Sequence, residues 1–557
     1  MVQKLGPVFD KVTQPKWACG ARARQTIAKA AAGLAAVFAC SPVWAIELYR
    51  GENIELRWDN TIRYSAAFRL DDRNPALLGN RNSDDGNRNF DRGLISNRID
   101  LFSQIDFSKD GLGIHASAAA WYDSIYNRRN DNDSPGTFNP VSVPHDAFTH
   151  EVRTLHGQQA ELVDAFFYAN TALNGLPFSF RVGRHTLLWG ESLFFPNNGI
   201  AAGQAPVDAI KLFNQPTTYA RDVFMPVAQA SASLQLPGVL ALEAYYQFEW
   251  RKTRLPGAGS YFSTADFLDA GGERYFLRGN QYLIRTQDQE PPGSGQYGAA
   301  LRWSSGPMDL GIYAVRYNAK NPQVYYRSGV VSGSDPPIIV DPSIVDLLIG
   351  KAGNYNLVYP RGTEIYGASV SGYLGSSNIA VEISGRRNMP LVSTLLFQPP
   401  GRPADANENP LYAVGDTLHA QLSTVTTLAR SPLWDSANIN AEVAAVQRLR
   451  VTKNPGAVDP ESSELSAAFR GTFEPTYFEV IPNLDITMRL GLGYNFAGKS
   501  STDFYQNRGE GDLDLGVTAT YRVVWIASAM FTHFLGKADR QVLADRDFIR
   551  FSIERTF

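Results

Sequence analysis

The side chains suited to chemistry do not gather into a catalytic pattern. Of seven histidines, His115, His185, His419 and His533 stand alone, each in a different stretch of alternating polarity. His145, His150 and His156 share one segment, but spacings of five and six place no pair on one face of a helix or strand. Asn130–Gly136 opens like a calcium loop, yet no acid sits at the twelfth position counted from Asp131. Gly367–Gly372 misses the nucleophile elbow, because residue 371 is Ser where Gly is needed. No phosphate-binding glycine loop is present, so no catalytic residue, cofactor site or metal set is expected. What remains is a set of fixed charges about an aromatic segment: Arg57, Arg63, Arg181 and Arg184 against Glu191 and Asp208, with Trp189 between them. Arginine outnumbers lysine 40 to 12. A planar, permanently charged guanidinium suits fixed networks. Acids opposed to arginines create a transverse field that orders polar solutes and selects charge. The expected chemistry is sorting of solutes, not bond making.

The elements that must hold these charges are strands. From Ile54 to Leu70 the even positions read Ile, Leu, Trp, Asn, Ile, Tyr, Ala, Phe, Leu, and the odd positions carry Glu55, Arg57, Asp59, Arg63 and Arg69. Strict alternation over seventeen residues exceeds the five or six usual in a soluble sheet and suits a tilted membrane-crossing strand. Ile95–Phe107, Leu484–Phe496 and Leu513–Tyr521 repeat the pattern, with glycine entering the polar face where a lumen wall needs room. Eighteen strands are expected, near 53–70, 93–108, 112–126, 160–172, 177–186, 227–236, 239–250, 296–304, 309–318, 363–374, 379–387, 416–428, 437–449, 464–475, 484–496, 512–522, 524–535 and 546–557. Their connections alternate long and short, as in an all-β, transmembrane, antiparallel up-and-down β-barrel with long extracellular loops and short periplasmic turns. Lipid offers no hydrogen-bond partners, so such a sheet must close.

Composition agrees. The chain has 557 residues, 44% hydrophobic and 19% charged, with a mean hydropathy of −0.23. Greasy and polar faces cancel residue by residue in such a barrel. Lys4, Lys11, Lys16, Arg22, Arg24 and Lys29 precede an apolar run, Ala30–Cys40, and Val43-Trp44-Ala45. Residues 1–45 therefore read as a cleaved signal peptide, and 46–557 as one barrel domain. Both cysteines, Cys19 and Cys40, lie in that leader, so no disulfide framework is expected in the mature chain. The negative net charge argues against a nucleic-acid partner. The expected location is the bacterial outer membrane, in contact with its lipid and lipopolysaccharide.

Two features add a resemblance. The first is Arg181-Val-Gly-Arg-His-Thr-Leu-Leu-Trp-Gly-Glu-Ser192, followed by Phe194, Phe195, Pro196-Asn-Asn-Gly199 and Pro206-Val-Asp208. With Trp58–Tyr64 and Leu234–Gln247, it resembles a proteobacterial family known as domain of unknown function number thirteen hundred and two. That resemblance covers essentially the whole mature chain and implies an outer-membrane barrel. It also implies a genetic neighbourhood with a second secreted protein and an RND-type transporter, hence a periplasmic partner and traffic of hydrophobic or amphipathic compounds. The second is the C-terminal strand, with Ile549, Phe551, Ile553 and Phe557 on one face. It resembles the signal read by the barrel-assembly machinery, Arg555 being the departure from it.

Segment 187–226 carries little charge, the aromatics Trp189, Phe194 and Phe195, and a short helical stretch near Val207–Phe213. It is expected to fold inward and constrict the barrel, with Glu191 and Asp208 facing Arg57, Arg63, Arg181 and Arg184. The function expected is passage of a small or amphipathic molecule across the outer membrane. One alternative is a plugged channel for hydrophobic compounds, entered through the 251–295 and 319–362 loops at Tyr261, Phe262, Tyr325 and Tyr326. Another is a docking or structural barrel that conducts nothing.

Overall fold

A computed structural model describes residues 46–51, 53–214, 219–331, 337–394, 396–399, 401–502 and 507–557. The expected signal peptide lies outside these residues. Among the described residues no helix is long and apolar enough to cross a membrane. Among the described residues eighteen strands close the wall, and a short nineteenth, Ile46–Arg50, pairs with the first of them: β1 (Ile54–Arg69), β2 (Gly93–Lys109), β3 (Leu112–Asp123), β4 (Gln158–Leu173), β5 (Leu176–His185), β6 (Val227–Gln235), β7 (Leu240–Gln247), β8 (Gln296–Ser305), β9 (Met308–Tyr317), β10 (Thr363–Leu374), β11 (Ser377–Pro390), β12 (Val414–Leu428), β13 (Ser436–Lys453), β14 (Leu465–Ile481), β15 (Leu484–Ala497), β16 (Gly511–Tyr521), β17 (Trp525–Leu535) and β18 (Phe548–Thr556). Each pairs antiparallel with its chain neighbours. The sheet closes where β1 meets β18, from Thr61 opposite Thr556 to Arg69 opposite Phe548. Closure leaves no unpaired edge for lipid to solvate.

The polarity is inverted relative to a soluble barrel. On β9, Ile312 is 64% exposed while its neighbour Tyr313 is 2% exposed. On β11, Val381 and Ile383 are exposed while Glu382, Ser384 and Arg386 are buried. The apolar row faces outward, where lipid would cover it, and the polar row faces the lumen. Exposed aromatics gather toward both rims: Trp58, Tyr373 and Tyr521 near the short turns, Tyr122, Tyr246, Tyr297 and Tyr494 near the long loops. These are the places where an apolar ring with a polar edge sits best.

The short turns Asp110-Gly111 and Asn174-Gly175 have positive φ at both residues, matching the twist of the flanking strands. The C-terminal strand is seated by reciprocal backbone bonds between Asn60 and Phe557, both 2.8 Å. Arg555 places its guanidinium 5.1 Å from the Trp525 ring and 6.0 Å from the Phe557 ring. This interfacial cation–π contact accommodates a charge on an otherwise apolar row.

The long loops are not featureless. Arg274–Phe276, Tyr282–Arg285, Gln323–Ser328, Lys351–Val358 and Leu396–Phe397 form a second, five-stranded sheet. This corrects the expectation of a greasy entrance in these loops. Tyr325 and Tyr326 lie within that sheet's cores, and Tyr261 and Phe262 pack with Phe90, Tyr126, Phe148 and Phe548. All four named aromatics are buried, because the loops are long enough to build cores of their own.

Candidate functional site: the lumen and its inward segment

The segment between β5 and β6 leaves the wall at His185 and packs against the lumen side of β7–β14. It holds a short helical turn, Ile200–Gly203, and the helices Ala209–Asn214 and Ala220–Val223. Two apolar contacts seat it. Trp189 and Ile200 pack with Tyr245, Ala300, Tyr313, Val315, Tyr317 and Ile365 of β7–β10. Phe194 and Phe195 pack on Ala444 and Val446 of β13 and Ala468 of β14. Ala444 and Ala468 are register partners, and two small side chains side by side leave a hollow for the rings. Phe194 also stacks on Tyr219 at 5.5 Å, and the Tyr219 hydroxyl accepts from Asn440 Nδ2 at 2.9 Å.

Three buried wall charges grip the backbone of this segment. Glu382 on β11 accepts from the amides of Glu191 and Ile200, each at 2.7 Å. Glu442 on β13 accepts from three successive amides: Leu193 at 3.1 Å, Phe194, and Phe195 at 3.2 Å. Arg386, four residues along from Glu382 on the same inward row, donates to the carbonyls of Asn197 at 3.0 Å, Asn198 at 2.6 Å and Gly199 at 3.1 Å. His419 Nδ1 meets Asn198 Oδ1 at 2.9 Å, and Asn198 Nδ2 donates to Ala420 O and Gln421 Oε1, both at 3.2 Å. From the other side, Lys320 donates to the carbonyls of Ala202 and Gly203, both at 3.2 Å. Acids take the amides and cations take the carbonyls, so irregular backbone inside the barrel keeps its hydrogen bonds. Gly190 has φ +86, and a Cβ there would lie 2.0 Å from Glu382 Oε2; the Glu191 amide reaches that carboxylate because residue 190 is glycine.

The residues singled out in the sequence fall into separate places. Trp189 is 2% exposed, its ring 5.1 Å from that of Tyr245 and 5.9 Å from that of Tyr313. Glu191 lies beside Ser371 and near Arg302 and Asp309. Its expected opposition to Arg57, Arg63, Arg181 and Arg184 does not occur. Asp208 pairs with Arg254 at 3.0 Å, and Arg254 also reaches Glu161 at 2.5 Å. Arg57 bonds Asp59, two residues along its own strand, at 3.0 Å. Arg63 Nε donates to Glu554, its register partner on β18, at 2.6 Å. Strand arginines are satisfied by the nearest carboxylate on the same face before a loop can reach them. Arg181 stands 5.8 Å over the Phe166 ring. Arg184, three residues further on, falls on the opposite strand face and pairs with Glu249 at 2.6 Å. The two therefore do not act together on the lumen. Beside the Arg254 group a cavity of about 660 Å³ opens, lined by Met225, Trp250, Arg251, Arg254, Asp269 and Arg285 among others.

Glu382, Arg386, His419 and Glu442 were not singled out from the sequence. One signal was available. The inward row Asn440, Glu442, Ala444, Val446 is a lone acid beside small apolar residues, which suits a packed segment better than open water.

The family described as "Protein of unknown function (DUF1302)" matches residues 26–557. The chain belongs to this family. No curated protein matches it. Among solved structures, this DUF1302 member is similar to OccAB4 of Acinetobacter baumannii at 9% identity and TM-score 0.43, covering 91% of this chain and 99% of that one. It is similar to the outer-membrane channel DcaP of the same organism at 8% identity and TM-score 0.38, covering 91% and 99%. It is also similar to OpdK of Pseudomonas aeruginosa, solved with vanillate, at 9% identity and TM-score 0.38, covering 90% and 98%.

Proposed function

We propose that this DUF1302 protein is a passive channel of the bacterial outer membrane for a small or amphipathic molecule, with segment 187–226 as its constriction. The observation that carries the reading is the grip of Glu382, Glu442 and Arg386 on the backbone of residues 191–200. A segment bonded by buried charges on three wall positions is a fixed element of the lumen, not a loop drawn in by chance. On the inward row of β1, Arg57 and Arg63 keep about half of their side-chain surface open. The segment's own Asp208 joins Arg254 and Glu161 in a charged group beside a cavity. A solute would pass the packed segment between these two groups of charges.

The resemblance to the family supports a periplasmic partner and an RND-type transporter as the acceptor, and the apolar row of the C-terminal strand supports Phe557 as the feature read by the assembly machinery. The test is single-channel recording in planar bilayers of the wild type and of a chain lacking residues 193–203, combined with heat-modified gel migration to score folding. A larger unitary conductance in the deletion supports the constriction. A folded barrel that never conducts, with or without the segment, supports a docking role instead.

A further inference from the structure

Away from the lumen, three carboxylates from two long loops meet in the interior. Asp84 and Asp85 lie in the β1–β2 loop and Asp266 in the β7–β8 loop, with exposures of 0%, 1% and 0%. One oxygen from each falls within 4.8 Å of the other two. The surrounding polar groups do not exhaust them. Asp84 Oδ2 accepts from Arg88 Nε at 2.6 Å, and the Thr137 hydroxyl lies beside the same carboxylate. Asp85 accepts from the Asn139 amide at 2.9 Å and from Asn132 Nδ2 at 3.4 Å. Asp266 Oδ2 accepts from the Asp85 amide at 2.9 Å. Asp84 Oδ1 and Asp266 Oδ1 are buried and have no hydrogen-bond partner. Of the nearby cations, Arg88 is engaged by Asp84 and Asp133, Arg546 donates to the carbonyls of Tyr261 and Ser263, and Arg274, near Asp85, donates to the Phe138 carbonyl. Among the described residues only Asp84 of the three has a direct ion pair, with Arg88, in a place where a buried carboxylate without one is costly. Burial and mutual repulsion push the Asp85 carboxyl well above its ordinary range, and burial pushes that of Asp266 up to about 7.

We infer that Asp84, Asp85 and Asp266 bind one hard divalent cation, of the calcium class, that ties the first long loop to the fourth above the lumen. Calcium takes oxygen ligands at roughly 2.3–2.6 Å, so two of its ligands lie at most about 5.2 Å apart; the three carboxylate oxygens fit within one such sphere. Two of the three carboxylates each keep one buried oxygen that no protein donor has taken, as a site for a cation requires. Gly86 keeps the loops close, since a Cβ there would come within 2.7 Å of Ser260 O and 2.8 Å of Ser263 O. Sequence spacing hides the site, because Asp266 is 181 positions from Asp85.

The test uses the full mature chain folded in detergent free of lipopolysaccharide, which binds calcium itself. Terbium luminescence reports binding, calcium competes, and heat-modified migration confirms the folded barrel. The expected result is a terbium signal displaced by calcium in the wild type and reduced by one equivalent per chain in Asp266→Asn. Protease cleavage within residues 70–92 should rise about tenfold on moving from calcium at ten times its dissociation constant to EGTA. A folded wild type whose cleavage ignores calcium, or an Asp266→Asn chain with an undiminished signal, overturns the proposal and leaves a shared proton as what the acids hold. The wild-type comparison in EGTA needs no variant, so it decides the matter even if Asp266→Asn does not fold.

Discussion

Glu442 accepts from three consecutive amides and is 1% exposed, so its charge is stabilised almost wholly by the segment it holds. Hydrogen bonds to a buried charge contribute roughly 1.5–3 kcal/mol each. Glu442→Gln keeps the shape and removes the charge. The expected outcome is a folded barrel whose Phe194 amide exchanges with solvent at least tenfold faster and whose single-channel current is noisier. Unchanged exchange at Phe194 would show that apolar packing alone seats the segment. A second residue, in the loops, carries a pH dependence. His156 Nε2 accepts from the Gly257 amide at 3.0 Å while its ring stacks on Tyr126 at 4.8 Å. Burial, aided by the charges of Arg98 and Arg254, pushes its pKa down to about 3. The folded state thus keeps the imidazole neutral, whereas the unfolded loop takes up a proton below about 6.5. The contribution to stability is complete above pH 6.5 and falls by about 1.4 kcal/mol per unit as pH drops from there toward 3. Protection of the Gly257 amide, measured by hydrogen exchange, should decline from pH 6.5 to pH 4.5; a flat profile would contradict this.

At the scale of elements, the eighteen strands were legible because each carries its own record. A period of two needs no long-range information, and Ile54–Leu70 or Leu484–Phe496 could be nothing else. Boundaries were less so: β14 runs to Ile481, beyond the expected 475, because Thr476 and Tyr477 still pair with Thr487 and Ile486. The loop sheet was not legible, since its strands are short and pair across loops, Tyr282–Arg285 running parallel to Lys351–Tyr355. One turn carries visible strain. Arg522, Val523 and Val524 join β16 to β17, the first two with φ of 51° and 63°, and Val523 is 86% exposed. A β-branched residue in the left-handed region costs roughly 1–2 kcal/mol. Val523→Asn should therefore raise stability by about 1 kcal/mol, read from the urea midpoint of folding in micelles. No gain would mean that the turn is fixed by its neighbours and not by local conformation.

For the whole molecule, the inverted barrel was legible and the arrangement inside it only in part. The inward course of segment 187–226 was suggested by its low charge and its aromatics. Its partners were not, because the contacts of Glu442 with Leu193 and Phe194 span about 250 positions and no periodicity records them. The charges that do carry a strand signature, Arg57 and Arg63, turned out to be satisfied along the wall. Wall arginines and inward loop thus form two systems, and the constriction proposed above belongs to the second. The most direct measurement is unitary conductance of the folded wild type against the chain lacking residues 193–203, in the same bilayer and salt. A seated, constricting segment predicts a small or closed wild-type conductance and a severalfold larger one in the deletion. Equal conductance in two barrels that both show heat-modified migration would contradict it.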